Sequence, residues 1–359
     1  MAAKYSEGAK NGLVVTRSQT GRLRDIVREK YGIEAAQIGQ LAGELDLNFQ
    51  LRDVTGKRFF LRLTPTEFPA AAVAWQNLVL ETVTQKPLSV TTPQLLSQRD
   101  GTTHSEVEID DSVRAVLRVT TWVPGKELAS FAQTPERVKF QIGRVAAETV
   151  DRLRVLNNAA APEYEHHWML TNSGAALEAT IDAVQDREQR ETLDRILTGF
   201  YDVAGKIKEL PTSVVHQDIH DSNLLATRDS TGGVSLSGLV DFNDAVKTIR
   251  IAELAVAASY AGFRQRDPFA AFCKVIEGYA AHAEITELER ELIYPLAVAR
   301  LAVNLSTWSA RALQSNAAYA QTRMEATWPA LSEYTSVDPQ QAQAKIFNAI
   351  ETGSQLRGS

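Results

Sequence analysis

The 359-residue sequence predicts an α+β chain built as two lobes, a small strand-rich N-terminal part and a larger helical part. Three observations carry this. Strand-like segments bounded by turn residues crowd the first third, while from about residue 135 the apolar residues recur at helical spacing. Between the two regimes an apolar run ends at Pro124-Gly125, a dipeptide that punctuates structure. With 44% hydrophobic and 23% charged residues, the chain can bury a sizeable core.

The elements follow in order. Residues 17–32 (RSQTGRLRDIVREKYG) form an amphipathic helix stopped by glycine. Strand-like QIGQLAG, NFQLRDV and KRFFLRLT come next, the last two joined as a hairpin through Thr55-Gly56. A helix over 69–84 precedes a second strand pair, TTPQLL with SEVEID, and then the run SVRAVLRVTTWV. Helices are predicted over 135–158, 172–186, 189–209, 251–262, 267–283, 286–314 and 317–334, interrupted by the strand-like TSVVHQDI and SLSGLVDF. A ligand site between the lobes is the expectation for such a chain.

Charge and cysteine content narrow the function. Acidic residues number 44 against 38 basic ones, a net charge of −6 that argues against nucleic-acid binding. The single cysteine, Cys273, excludes an intrachain disulfide and a cysteine-based zinc site. No stretch has the roughly 18 consecutive apolar residues of a membrane span, and MAAKYSEGAKNG lacks a signal-peptide core. A soluble, cytoplasmic protein without a membrane partner is expected.

The chemistry-bearing residues are SVVHQDIHDSNLLAT and SGLVDFNDA. The first places His216, Asp218 and Asn223 in the spacing H-x-D-x-x-x-x-N, and the second ends an apolar strand in Asp241-Phe242-Asn243. Phosphoryl transfer needs one carboxylate to accept the proton of the attacking hydroxyl, and oxygen ligands for Mg²⁺ on the phosphates. Asp218 suits the first role. Asn223 and Asp241 suit the second, because Mg²⁺ takes few hard oxygen ligands from protein and keeps its other positions for phosphate and water.

HQDIHDSNLL followed by GLVDFNDAVKTIRIAELAVAASYA resembles the motif of aminoglycoside phosphotransferase-like kinases, nearest to the hydroxylysine kinase branch. LAGELDLNFQL resembles that branch's first β-hairpin, RVTTWVPGKEL its hinge strand, EHHWML its tryptophan segment and RLAVNLSTWSARALQSNAAYA its C-terminal helices. The resemblance implies a protein-kinase-like two-lobe fold, with an N-terminal lobe over 1–120, a hinge over 121–125 and a helical lobe over 126–359. It implies ATP, or GTP as in some relatives, with Mg²⁺, and a small-molecule hydroxyl as acceptor; a homodimer is left open. By motif position Asp218 becomes the catalytic base, Asn223 and Asp241 the metal ligands, and His216 a brace of the catalytic loop. Gly43, Asn48 and Arg62 fall where the nucleotide is held, as do the hinge residues Thr121, Trp122 and Val123.

The chain departs from the family at several points. Gln217 and Asn243 stand where relatives often have glycine. Arg62 replaces a phosphate-binding lysine, a tolerable change because its planar fork matches phosphate oxygens. Ala74 occupies the helix position of the glutamate that orients that lysine, with Glu67 or Glu81 as substitutes. These two departures are the only support for the alternative, a non-catalytic nucleotide-binding relative, against which the base, the metal ligands and the loop spacing all survive.

A protein kinase is disfavoured by the absence of G-x-G-x-x-G and A-P-E, and by the roughly ten residues between Asp241 and the helix AELAVAASY. Gly56-Lys57 lacks the upstream glycine of a P-loop. His216, Asp218, His220 and Asp221 could suggest a metallohydrolase, but such sites recruit further ligands from later strands, and the one histidine downstream, His282, falls in an apparent surface helix. Trp122, Trp168 and Trp308 read as packing residues, and Glu253 as a helix-start residue favoured by the dipole. Asp221 and Asp244, each three residues beyond a motif aspartate, are candidates to hold a substrate ammonium.

Overall fold

The computed structural model describes residues 16–41, 43, 46–111, 113–161, 167–314, 320–321 and 324–358. The sequence segment 1–15, Glu165-His166 of the tryptophan segment, and much of the start of the helix expected over 317–334 lie outside the described residues. The chain divides into two units, Met1–Lys86 with Thr92–Val123, and Pro87–Thr91 with Pro124–Ser359.

The first unit begins with α1 (Arg17–Tyr31). Thr16 and Gln19 cap each other reciprocally at its start, and Gly32 ends it in the left-handed conformation at φ 69°. A five-stranded antiparallel sheet follows, β1 (Ala35–Leu41), β2 (Leu47–Asp53), β3 (Arg58–Pro65), β4 (His104–Asp110) and β5 (Val113–Thr121), in the order β1-β2-β3-β5-β4. Its register alternates faces. Phe59, Leu61 and Leu63 of β3 join Phe49, Leu51, Leu117 and Val119 in an apolar core closed by Leu23, Ile26 and Val27 of α1. Each such buried side chain stabilises the unit by about 2 kcal/mol. The opposite face is polar. There Arg62 lies directly across from Arg118 of β5, and Arg118 donates to Asn77 of α2 (Ala70–Gln85) and to Thr64.

TTPQLL does not form the expected strand partner of SEVEID. Thr91 and Leu95 make isolated bridges only, to Gly238 and Thr120 respectively, and β4 pairs with β5 instead. Pro93 lacks the N–H that a ladder requires. Thr91 exchanges backbone bonds with Ser237 and Leu239, which draws residues 87–91 into the second unit.

The second unit carries β6 (Lys126–Glu127) and the helices α3 (Glu136–Leu153), α4 (Ser173–Thr180) and α5 (Arg187–Ile207). Four short strands follow, β7 (Thr212–Val215), β8 (Leu224–Arg228), β9 (Val234–Leu239) and β10 (Val246–Ile249). β10 pairs with β7, and β6-β8-β9 form a small sheet. The helices α6 (Ala252–Ala261), α7 (Pro268–Ala280), α8 (Glu287–Gln314), α9 (Thr327–Ser336) and α10 (Pro339–Arg357) complete the unit. α6 is apolar on every side and buried along its length, the pattern of a central helix. α10 was not expected from its composition, yet Asp338-Pro339 starts it as Asp267-Pro268 starts α7: the aspartate caps and the proline occupies the first turn.

Candidate active site

The motif residues are assembled by four short strands. The chain leaves β7 at Val215, runs through the loop 216–223 and enters β8 at Leu224. It returns through the turn at Asp229, whose carboxylate accepts N–H bonds from Thr231 and Gly233, and leaves β9 at Leu239. The Val240 N–H then donates to the Asn223 carbonyl at 3.0 Å, which sets Asp241 beside the loop. Asp241 takes a left-handed backbone, φ 63°, a conformation that aspartate tolerates better than most residues, and β10 carries the chain back onto β7.

Asp218 is engaged at both carboxylate oxygens. Its Oδ1 accepts from Arg300 Nη2 at 2.8 Å, and its Oδ2 accepts from Asn223 Nδ2 at 2.8 Å and faces His220 Nε2 at 3.2 Å. Burial pushes the Asp218 carboxyl up, but His220 and Arg300 outweigh it and hold the group well below the usual carboxylate range. The pairing also orients Asn223. Its Nδ2 donates to both the carbonyl and the carboxylate of Asp218, which turns Oδ1 of the amide the other way. An amide oxygen and the exposed Asp241 carboxylate, on backbones joined by the Val240–Asn223 bond, are a donor set suited to a hard divalent cation. The neighbouring histidine and aspartates have other partners: His220 accepts the Ser222 N–H at Nδ1 and faces Asp218 and Asn223 through Nε2.

Arg300 is the largest contribution that sequence reasoning missed. It sits on α8, 3% exposed, and donates to the Trp168 carbonyl and the Tyr260 hydroxyl as well as to Asp218. Its guanidinium lies 5.0 Å from the Trp168 ring and 5.6 Å from the Tyr260 ring. Trp168 thus packs against this guanidinium, while Trp308 is 5% exposed and donates its indole N–H to Asn304.

His216 links loop and strand end. Its Nδ1 accepts the Asp218 N–H at 3.2 Å, so the proton resides on Nε2, which donates to the Val240 carbonyl at 3.1 Å. Complete burial lowers its pKa and keeps the ring neutral, packed 4.5 Å from Phe242. Gln217 adopts φ 66°, which explains why glycine suits this position. Its strained backbone is held by Glu253, whose Oε2 accepts the Gln217 N–H at 3.1 Å. Glu253 opens α6 as expected, but it is 0% exposed, and burial raises its pKa to about 8. It is a buried loop support, not a dipole-favoured surface acid.

The two acids expected near the acceptor have different surroundings. Burial pushes the Asp221 carboxyl up, but nearby His220, its Nδ1 3.7 Å away, and the ion pair with Arg264 bring its pKa down to about 2. With Arg264, Tyr260 and Phe263 it lines a small pocket. Asp244 ends the single turn of helix at 242–244, half-buried, within electrostatic reach of Arg300.

In the first unit, Gly43, Asn48 and Arg62 come together. A Cβ on Gly43 would lie 2.3 Å from the Asp46 carbonyl and 2.8 Å from Asn48 Nδ2, so only glycine fits, and Asn48 stands directly across from Arg62. Asp46 Oδ2 stands 3.4 Å from Arg62 Nε, a partner the sequence reading did not consider. Thr121 accepts the Gln94 N–H at its hydroxyl, Arg58 stacks on Trp122 at 5.1 Å, and Val123 is buried.

The family model described as the phosphotransferase enzyme family matches residues 38–292, more than half of the chain and all of its motif residues. The chain belongs to this family. As a member of the phosphotransferase enzyme family it is a small-molecule kinase with the protein-kinase-like fold. Hydroxylysine kinase of Mus musculus is 23% identical over 342 residues, covering 89% of each protein, and that of Danio rerio is 23% identical over 293 residues, covering 79% of this chain and 81% of the relative. Among solved structures, an amicoumacin kinase in complex with AMP-PNP, Ca²⁺ and Ami superposes with a TM-score of 0.64 at 14% identity, over 90% of this phosphotransferase and 98% of that chain. A microcompartment-associated aminopropanol kinase gives 0.61 at 14% identity, over 93% and 98%. No helix among the described residues is long and apolar enough to cross a membrane.

Proposed function

We propose that this phosphotransferase transfers a phosphoryl group from ATP, with GTP as the alternative donor, to a hydroxyl of a small amine-bearing molecule. The observation that carries the reading is the arrangement around Asp218: a carboxylate fixed at both oxygens, bonded to the same amide whose other end is available to a cation. Asp218 positions the acceptor hydroxyl and takes its proton as the new bond forms. A carboxylate held this far down stays ionised across the physiological range, and the loose transition state of phosphoryl transfer asks more for alignment than for a strong base. Asn223 and Asp241 would hold Mg²⁺. When bound, that ion neutralises charge on the phosphate oxygens. His216 and Glu253 hold the loop, and Arg62 meets the phosphates of the nucleotide.

The amine on the acceptor is supported by the hydroxylysine kinases and the aminopropanol kinase to which the chain is similar, and by Asp244 beside the Asp218–Arg300 pair. An ammonium there would gain a charge-assisted bond, about twice as strong as a neutral one. The test is ADP release from amino alcohols, amino sugars and hydroxylated amino acids, each beside its deaminated analogue, with Asp218→Asn as control. The amines are expected to be phosphorylated and the control to lose about 10²–10⁴ in kcat. Equal kcat/KM for the neutral analogues overturns the amine requirement alone. Nucleotide binding with no acceptor turned over favours the non-catalytic relative.

A further inference from the structure

We propose that Asp46, between β1 and β2, is the positioning residue for Arg62, fixing the plane of its guanidinium for nucleotide phosphates in place of an acid on α2. The inference rests on the function proposed above and adds to it a residue that the motif pattern does not contain.

The starting point is the α2 position at which the orienting glutamate falls. Where an orienting glutamate belongs, the chain has Ala74, whose methyl group is exposed. Kinase chemistry depends on an ion pair that sets the phosphate-binding cation of β3. Here the acid comes from the hairpin. Asp46 Oδ2 stands 3.4 Å from Arg62 Nε, and the two side chains are only 17% and 12% exposed. An ion pair this sheltered is screened far less than one on the surface.

The surroundings make Asp46 a fixed partner. A Cβ on Gly43 would lie 2.3 Å from the Asp46 carbonyl, so the backbones of Gly43 and Asp46 are in close approach. Asn48 is in register with Arg62 across β2 and β3, and the Arg62 guanidinium lies 5.4 Å from the ring of Phe60, two residues earlier on the same face. The side chain is thus held from the hairpin and from beneath.

The replacement of lysine by arginine gives the arrangement its chemical sense. An ammonium is a point charge with no plane to set. A guanidinium meets two phosphate oxygens with two parallel N–H bonds only when its plane is correctly turned. A carboxylate at Nε constrains that plane from one edge, and the acid need not come from α2 to do so.

The test uses the full chain with Mg·ATP as probe, measuring affinity by calorimetry, and KM and kcat by ADP release. In Asp46→Asn the affinity for ATP is expected to fall about tenfold, the loss expected for one charge-assisted contact. KM should rise by more than kcat falls. Asp46→Glu should recover most of the affinity, and adding Asp46→Asn to Arg62→Gln should cost less than about twofold beyond Arg62→Gln alone, as for residues that act as one unit. Unchanged or tighter ATP binding by Asp46→Asn overturns the proposal, as does an equal loss in both backgrounds. If Asp46→Asn fails to fold, Asp46→Glu decides: the role requires affinity near that of the parent, and a loss as large as that of Arg62→Gln overturns it. A parent chain that binds neither ATP nor GTP instead overturns the kinase reading itself.

Discussion

Replacing Glu253 by glutamine isolates the electrostatic cost of burying a carboxyl beneath the catalytic loop. The substitution keeps an oxygen to accept the Gln217 N–H and removes only the ionisation. Burial moves the Glu253 pKa from the ordinary 4.5 to about 8. The folded chain therefore holds a proton that the unfolded chain releases, and stability falls as pH rises between those two values. The contribution is fully present below pH 4.5 and is lost as pH climbs through about 8. At about 1.4 kcal/mol per pH unit, the window withdraws on the order of 4–5 kcal/mol from the parent. Glutamine does not titrate, so the variant should match the parent near pH 5 and exceed it near pH 8. In a unit of this size that difference corresponds to a rise in Tm on the order of 10 °C. Scanning calorimetry of both proteins across that range reads it directly. A Tm difference that stays constant with pH would show that Glu253 does not titrate in the folded chain, and a lower Tm for the variant at every pH would show that the carboxyl is stabilising. Either result refutes the reasoning.

Arg300→Met should lower stability by about 2–4 kcal/mol, somewhat less than for a fully buried pair because the Asp218 side chain is 19% exposed. Turnover should fall with it, and Arg300→Lys should recover part of both; a Met variant with the parent's Tm and kcat would show that Asp218 needs no partner from α8. Asp241→Ala should abolish the metal dependence of nucleotide affinity while leaving metal-free affinity nearly intact, as measured by ATP titrations with and without Mg²⁺. Unchanged metal-dependent affinity would remove Asp241 from the cation site.

Local chemistry was legible in the sequence because it acts over a few residues. The Gly32 stop, the Thr55-Gly56 hairpin and the long periodic helices depend on backbone preference and spacing alone. The same holds for the run from His216 to Asn223 and the strand ending at Asp241, since a loop and a hairpin hold them within 26 residues of one another. TTPQLL shows the limit: its composition allows a strand, but pairing is decided by the partner edge, and β5 was taken by β3 and β4. The helix α10 has its start signal in Asp338-Pro339, but its face is only partly apolar, so its period is weak.

What only the tertiary structure decided is which charges meet. Arg300 is 82 residues from Asp218 in sequence, and nothing in the helical pattern of α8 distinguishes an arginine facing a catalytic loop from one facing water. Asp221 is paired with Arg264, 43 residues on, a contact that no local pattern announces. Glu253 carried the signature of a helix start and became a loop support because α6 is buried on all sides. Asp46 reaches Arg62, 16 residues on, while its backbone lies against Gly43. Hydrophobic period and turn chemistry are properties of a segment, so the sequence alone reveals them. The partner of a charge depends on how separate segments pack, and the energies that select it arise only when the fold excludes water around the pair.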